Sequence, residues 1–307
     1  MVELFIIGAV SSATPILLAT LGEIITERSG ILNLGVEGMM LVGALSGFAA
    51  ARLTGNAGLG LLAAMISAGL ISLIHAFLSV SLRTNQVVSG LGLTIFGIGL
   101  TGYFGKSMIG VPAPVTIGKL VLPVISEIPF FGNIFFKHDP LVYTAVILVP
   151  LCYWFLFRTR AGLHLRAVGD NPAAADMAGI NVQALRYGAT FAGGMLCGLG
   201  GIYISLVYTP FWAENMIAGR GWIAIALVIF SSWDPRLALM GALLFGGVDV
   251  LATRIQALGV DVPPYFLRML PYAFTITILI LTTARRAGGR GLSAMPASLT
   301  LPYEREA

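Results

Sequence analysis

Apolar runs separated by short polar breaks fill almost the whole chain. Seven of them, at about 4–25, 35–52, 57–82, 86–105, 139–157, 185–209 and 265–284, approach or exceed the roughly 20 residues that cross a bilayer as helix. Two shorter runs, at about 221–233 and 237–254, flank Trp233-Asp234-Pro235-Arg236. Each holds only about a dozen uninterrupted apolar residues. That length suits half-helices, re-entrant segments, or spans whose polar ends are buried in protein. Pro15 predicts a kink in the first run. The pattern predicts an all-α polytopic transmembrane bundle of about nine crossings, with eight to ten compatible with the two short runs. It forms a single membrane domain over 1–290, followed by a short cytoplasmic tail over 291–307.

The polar breaks need reasons of their own. Glu27-Arg28-Ser29-Gly30-Ile31-Leu32-Asn33-Leu34-Gly35-Val36-Glu37-Gly38 stands between the first two runs, and hydrocarbon supplies no partners for such groups. A long loop over about 106–138 holds Pro112, Pro114, Pro123, Pro129 and all three lysines. With nine crossings, Arg28, Arg83, Arg158, Arg160, Arg166, Arg186, Arg236, Arg285, Arg286 and Arg290 share one side. Arg52, Lys106, Lys119, Lys137, Arg220, Arg254 and Arg268 fall on the other. The first group is larger and denser, so it is assigned to the cytoplasm, with the amino terminus outside.

Composition agrees with the pattern. Charged residues are 10%, hydrophobic residues 57% and mean hydropathy is +0.90, against roughly 25% charged in soluble domains. The net charge of +4 comes from dispersed basic residues and gives no reason to expect a nucleic-acid partner. The start, Met1-Val2-Glu3-Leu4, lacks a basic segment, so no cleaved signal peptide is expected. Cys152 and Cys197 lie inside apolar runs and read as small hydrophobes, not as a disulfide or a metal pair. Gly43-xxx-Gly47 and Gly194-xxx-Gly198 have the spacing that lets helices approach closely.

Two motifs fail on context. Gly97-Ile98-Gly99-Leu100-Thr101-Gly102 matches a dinucleotide fingerprint but lies inside a predicted membrane helix with no preceding strand. Gly105-Lys106-Ser107 resembles the end of a phosphate loop, yet Leu100 occupies the position of the required first glycine. The chain is therefore not expected to bind or hydrolyse ATP itself. His75, His138 and His164 lack metal-ligand spacing, and His75 reads as a packing histidine. No nucleophile–base constellation stands out, so no catalytic, cofactor or metal residues are assigned.

Segment 158–182 is the clearest functional device. Asn171 can cap a helix, Pro172 suits its first position, and Ala173-Ala174-Ala175-Asp176-Met177-Ala178 favours helix. Gly179 suits the position that ends it. So short a helix is marginal alone in water, so it must pack on its own membrane domain or on another protein.

These residues carry a family likeness. Leu165-Arg166-Ala167-Val168-Gly169-Asp170-Asn171-Pro172-Ala173-Ala174-Ala175, followed by Gly179-Ile180-Asn181-Val182, resembles the signature of ABC importer permeases for branched-chain amino acids, simple sugars and nucleosides. The stretch Glu27–Met40, and Gly219-Arg220-Gly221-Trp222-Ile223-Ala224-Ile225-Ala226-Leu227-Val228-Ile229-Phe230, are similar to the nucleoside and simple-sugar branch. Ser231-Ser232 replaces the glycine usual after that phenylalanine. The resemblance covers about 5–284. It implies that Arg166, Gly169, Asp170, Asn171, Pro172, Ala175 and Gly179 couple to a partner ATPase. It implies an ATP-binding cassette ATPase dimer that holds the ATP, a second and different permease chain, an extracytoplasmic binding protein, and a prokaryotic cell membrane.

A neutral hydroxylated ligand wants amide and carboxylate partners and an aromatic wall. Asn33, Glu37, Asn85, Gln86, Phe96, Trp222 and Asp249 qualify by type and depth, although each also has a structural reading. The alternative is a secondary transporter driven by an ion gradient, for which Asp249, Glu37 and Glu23 are the acids available.

Overall fold

The computed structural model describes residues 2–113, 115–121, 128 and 131–258, single positions between 263 and 280, and 295–304. Among the described residues seven helices are long and apolar enough to cross a membrane. They are α1 (Val2–Glu27), α2 (Val36–Thr54), α3 (Ala57–Ala76, prolonged by a π-turn to Ser81), α4 (Gln86–Gly105, prolonged to Met108), α6 (Pro140–Arg158), α9 (Val182–Tyr203, prolonged by a π-turn to Tyr208) and α11 (Pro235–Ala257). Shorter helices are α5 (Phe131–Phe135), α7 (Arg160–Asp170), α8 (Pro172–Met177) and α10 (Arg220–Phe230). In the 106–138 loop, Leu120–Val121 and Lys137–His138 pair as two short antiparallel strands.

Helix α9 is the hub, packed on α1, α2 and α3. Small residues make this possible. A Cβ added to Gly43 would strike the Gly198 backbone, and one on Gly198 would strike Ala64. Overpacking such a contact typically costs about 1–3 kcal/mol, so the glycine spacing seen in the sequence is a packing device. Pro15 lies inside α1, and Gly200 faces its carbonyl.

The two short apolar runs resolve differently. The first is a half-length helix, α10, of 11 residues. It is closed by a turn in which Ser232 and Trp233 take positive φ. The second run is longer than the pattern suggested. Asp234 caps it by accepting the Arg236 N–H at 2.8 Å, Pro235 occupies the first turn, and α11 continues for 23 residues. At 1.5 Å per residue that is roughly 34 Å, a full span. Of the predicted run 265–284, positions 266, 269, 270, 272, 273, 276, 277 and 280 are helical, and the remainder lies outside the described residues.

The break between α1 and α2 folds back into the bundle. The Asn33 N–H donates to Glu23 Oε1 at 3.0 Å, one turn before α1 ends. Helix α2 therefore begins inside the protein. Of the arginines assigned to the cytoplasm, three gather at one end: Arg28 donates to the Trp233 carbonyl and stacks on Phe157, Arg166 also stacks on Phe157, and Arg186 donates to the Ser29 carbonyl. Arg285, Arg286 and Arg290 lie outside the described residues. At the opposite end Trp212, 1% exposed, lies against Gly105 and Phe48.

Candidate functional site

Two helices start side by side within the bundle. The first N–H groups of a helix lack internal partners and carry the positive end of its dipole. At α10 those groups are met by Glu37 of α2, whose carboxylate accepts the N–H groups of Gly219 at 2.8 Å and Gly221 at 2.7 Å. Gly219 stands at φ +84, a left-handed conformation suited to glycine, and a Cβ on Gly221 would lie 2.6 Å from the Glu37 backbone. Glu37 is buried. It joins two helix starts, and its oxygens are committed to backbone.

Arg220 follows directly. It pairs with Asp249 of α11 at 3.5 Å and stacks over Tyr208. Asp249 also accepts the Ser12 hydroxyl at 2.6 Å. Its side chain is 34% exposed, because it opens into a cavity of about 530 Å³ shared with Arg220, Thr253, Gln256 and Tyr272, with Ile16 and Phe245 as apolar wall. Ile16 lies eleven residues before the end of α1, roughly 16 Å at the helical rise. The cavity thus reaches from the middle of α1 to the last turn of α11, where Gln256 lies. Its size falls in the usual range for small-molecule sites, about 300–1,000 Å³. It offers a carboxylate, a guanidinium, an amide and two hydroxyls, a set that hydrogen-bonds a polar neutral solute well.

The other substrate-path candidates do not converge here. Asn33 holds the turn before α2 by accepting the Gly35 N–H. Asn85 caps α4, accepting from Val87 and Val88. Gln86 Oε1 accepts the Leu32 N–H, while its buried Nε2 has no protein partner. Phe96 and Asn85 line a separate apolar groove between α3 and α4. Trp222 lies on α10, 37% exposed, and is not among the cavity residues. His75 is held by the Leu32 carbonyl and Ser89, as a packing histidine would be. Arg220 was expected on the side opposite the main arginine group; it stands at the head of α10, partly buried beside Asp249. The signal available in sequence was Gly219-Arg220-Gly221 at the head of a run too short to cross. Among the described residues no group of three or more His, Cys, Asp or Glu could hold a metal.

At the end that holds Arg28 and Arg186, segment 158–182 folds as two helices, not one. Thr159 starts α7 by accepting the Gly162 N–H, and Asn171 starts α8 by accepting that of Ala174 at 3.0 Å. Pro172 takes the first position of α8, and Gly179 follows it at φ +81. Arg166 donates to the Leu156 carbonyl, and Gly169 abuts the Arg28 carbonyl. Burial lowers the pKa of Arg28, opposed by the charge of Asp170. Ala175 points inward, 4% exposed, against Val168 and Val182. The outward face of α8 is Ala173, Ala174 and Met177, the last 84% exposed.

A family model described as the permease component of the branched-chain amino acid transport system matches residues 5–280. The chain is 39% identical to a Haloferax volcanii protein named "Putative glucose ABC transporter permease protein TsgC13", covering 97% of each chain. It is 36% identical to the guanosine ABC transporter permease protein NupQ of Bacillus subtilis, over 95% of this chain and 93% of that one. It is 34% identical to the nucleoside ABC transporter permease protein NupC of Lactococcus lactis, over 88% and 89%. A second permease from two of these organisms also matches, TsgB13 at 29% over 62% of this chain and 54% of its own, and NupP at 26% over 65% and 59%. The chain belongs to this permease family. It is the multi-pass membrane subunit of an ABC importer and not an enzyme.

Proposed function

We propose that this permease moves a nucleoside or simple sugar through a path that passes the cavity between Arg220 and Asp249, in a prokaryotic cell membrane. The observation that carries the reading is that cavity, set where α2 and α10 begin together. Nucleosides and sugars share a hydroxylated ring. Asp249 and Gln256 can accept from its hydroxyls, Arg220 and Gln256 can donate to them, and the Tyr272 ring gives it a flat wall. Relatives named for glucose, guanosine and nucleosides support the same chemistry. The secondary-transporter alternative is disfavoured by these relatives, all three of which are named as ABC transporter permeases.

The proposed complex holds two different permease chains, as the paired relatives in two organisms suggest. An ATPase dimer docks on α7–α8, and a binding protein delivers solute at the other side. Nine crossings fit this reading: seven long helices, the re-entrant stretch ending in α10, and the run at 265–284. ATP-driven closure then has a physical route inward. Movement of α7 presses Gly169 on Arg28, and the 28–35 segment leads to Glu37, which holds the start of α10 and therefore Arg220. Each contact is packed or hydrogen-bonded, so the centre follows the face as a two-state element.

The test is uptake of labelled guanosine and glucose by vesicles holding the full complex and its binding protein. Asp249→Asn is expected to lower uptake of the transported solute at normal membrane abundance. Unchanged uptake would remove the cavity from the path, and uptake that ignores ATP but collapses with an ionophore would overturn the importer reading.

A further inference from the structure

Residues 295–304 lie beyond the region matched by the family model, which ends at 280. They are nevertheless built into the end that holds Arg28 and Arg186. Ser298, 5% exposed, donates through its N–H to the Gly169 carbonyl at 2.9 Å and through its hydroxyl to the same oxygen at 2.6 Å. The hydroxyl also accepts from Arg186 Nη2 at 3.3 Å, and Arg186 is 1% exposed. Arg186 Nε donates in turn to the Ser29 carbonyl. A Cβ on Gly30 would stand 2.6 Å from Ser298 Oγ, and one on Gly169 would strike the Arg28 carbonyl. Four segments therefore meet with no room for another atom: the 28–30 turn, the end of α7, the start of α9, and the tail.

The tail then turns, with the Leu301 N–H donating to the Ser298 carbonyl, and runs along α8. The Tyr303 hydroxyl donates to Asp176 Oδ2 at 2.9 Å, and its side chain packs on the Val168–Ala175–Val182 cluster. Glu304 pairs with Arg83, which follows α3. Helix α8 has only six residues, too few to hold its own shape in water. Its orientation must come from what it touches.

We propose that residues 295–304 are a clasp that locks α7–α8 to the turn between α1 and α2, so that the two move as one body when the ATPase closes. The inference rests on reading α7–α8 as the ATPase-facing segment. With the clasp removed, α8 could tilt under load while Gly169 and the 28–35 segment stayed behind. The ATPase would still bind and hydrolyse ATP, but the stroke would not reach the cavity.

The experiment uses the full complex in vesicles with two variants: removal of residues 295–307, and the pair Ser298→Val with Tyr303→Phe, which keeps the chain intact. Both are expected to retain ATPase co-purification. Stimulation of ATP hydrolysis by loaded binding protein should fall at least about five-fold, the low end of a typical coupling, and uptake should fall with it. If truncation lowers abundance, the point variants decide. Wild-type stimulation and uptake in the point variants would overturn the clasp, and so would loss of the ATPase, which would make the tail itself the docking surface. Spin labels on Ala178→Cys and Leu301→Cys, without Cys152 and Cys197, should report one narrow distance, unchanged by ATP. A broad or nucleotide-dependent distance would also overturn it. Ala174→Trp separates the premise: if that variant keeps the ATPase and transports normally, α8 is not the docking face, whatever the tail does.

Discussion

Two arginine–aspartate pairs stand at two depths of this protein. Arg236 and Asp234, two residues apart at the head of α11, meet at 2.9 Å with side chains 60% and 20% exposed. Arg220 and Asp249, on different helices at the centre, meet at 3.5 Å with side chains 16% and 34% exposed. The closer pair is the less consequential. Water serves Arg236 if Asp234 is lost, and exposed pairs of this kind contribute little to stability. The central pair has no local sequence holding it together, since its members come from two helices 29 positions apart, so its worth depends on the surrounding helices staying in place. The end that holds Arg28, Arg166 and Arg186 turns these side chains onto backbone carbonyls. The centre leaves a cavity beside its charges. That difference is what the proposed roles require: a surface that transmits force and a site that receives a solute.

The sharpest way to break this comparison is Glu37→Ala. It would strand the N–H groups of Gly219 and Gly221 inside the bundle and remove two charge-assisted hydrogen bonds. Each is worth about 1.5–3 kcal/mol, so membrane abundance and thermal stability should drop steeply, with Glu37→Gln recovering part. An abundant, stable Glu37→Ala protein that fails only in uptake would make Glu37 a ligand group, and the centre would then hold two acids for the solute.

Next comes the central pair itself. Arg220→Ala leaves Asp249 with Ser12 as its remaining partner. Removing one member of a fully buried pair typically costs about 3–5 kcal/mol, and the cavity reduces that here. Uptake should fall more than abundance does, and more than in Asp249→Asn, which keeps a polar group in place. Equal losses of uptake and abundance would show the pair to be a structural tie, like its counterpart at the surface.

The same contrast explains what the sequence disclosed. Helices long enough to cross were legible because their length is a local property, and α8 was legible because Asn171, Pro172 and Gly179 signal its ends. The size of α11 was not. Gly246, Gly247 and Asp249 interrupt its apolar run, and only Ser12 on α1 and Arg220 on α10 explain how the acid is accommodated. Charge counting assigns Arg220 to a side but not to a depth, because the pairing with Asp249 is a tertiary event. Of the seven substrate-path candidates, Asp249 lines the cavity and Glu37 braces it. Asn33 and Asn85 serve a turn and a cap, a role open to any amide at such a position. The tail was legible only as a tail, since nothing in Ser298 or Tyr303 names a distant carbonyl.

Alanines at adjacent positions of α8 test the end that holds Arg28 and Arg186 at finer grain. Bulk at Ala175 was expected to disturb an interface with the ATPase, but that side chain is turned into the protein. Ala175→Trp should therefore cost about 1–3 kcal/mol of packing and lower abundance. Ala174→Trp, on the outward face, should leave abundance normal and reduce ATPase co-purification or stimulated hydrolysis. Reversal of the two outcomes, measured by immunoblot and pull-down, would mean that α8 is rotated from the orientation described.

The smallest effect belongs to the outer pair. Burial pushes the Asp234 carboxyl up, but its bonds to the Arg236 side chain and N–H outweigh that and leave it below the ordinary 3.8. A carboxyl depressed in the folded state adds stability above its unfolded pKa and loses it as pH falls through the folded one. The contribution is thus complete at neutral pH and disappears only below about pH 4. Asp234 is also the cap of α11, so Asp234→Asn, which keeps a capping oxygen, isolates the charge. It should shift the thermal midpoint little at pH 7 and remove the part of the acid sensitivity that Asp234 contributes. Asp234→Ala should cost about 1 kcal/mol more by losing the cap. If Asp234→Asn were instead as damaging at pH 7 as Arg220→Ala, exposure would not be what distinguishes the two pairs. The charge at the head of α11 would then have to act through the helix as a whole.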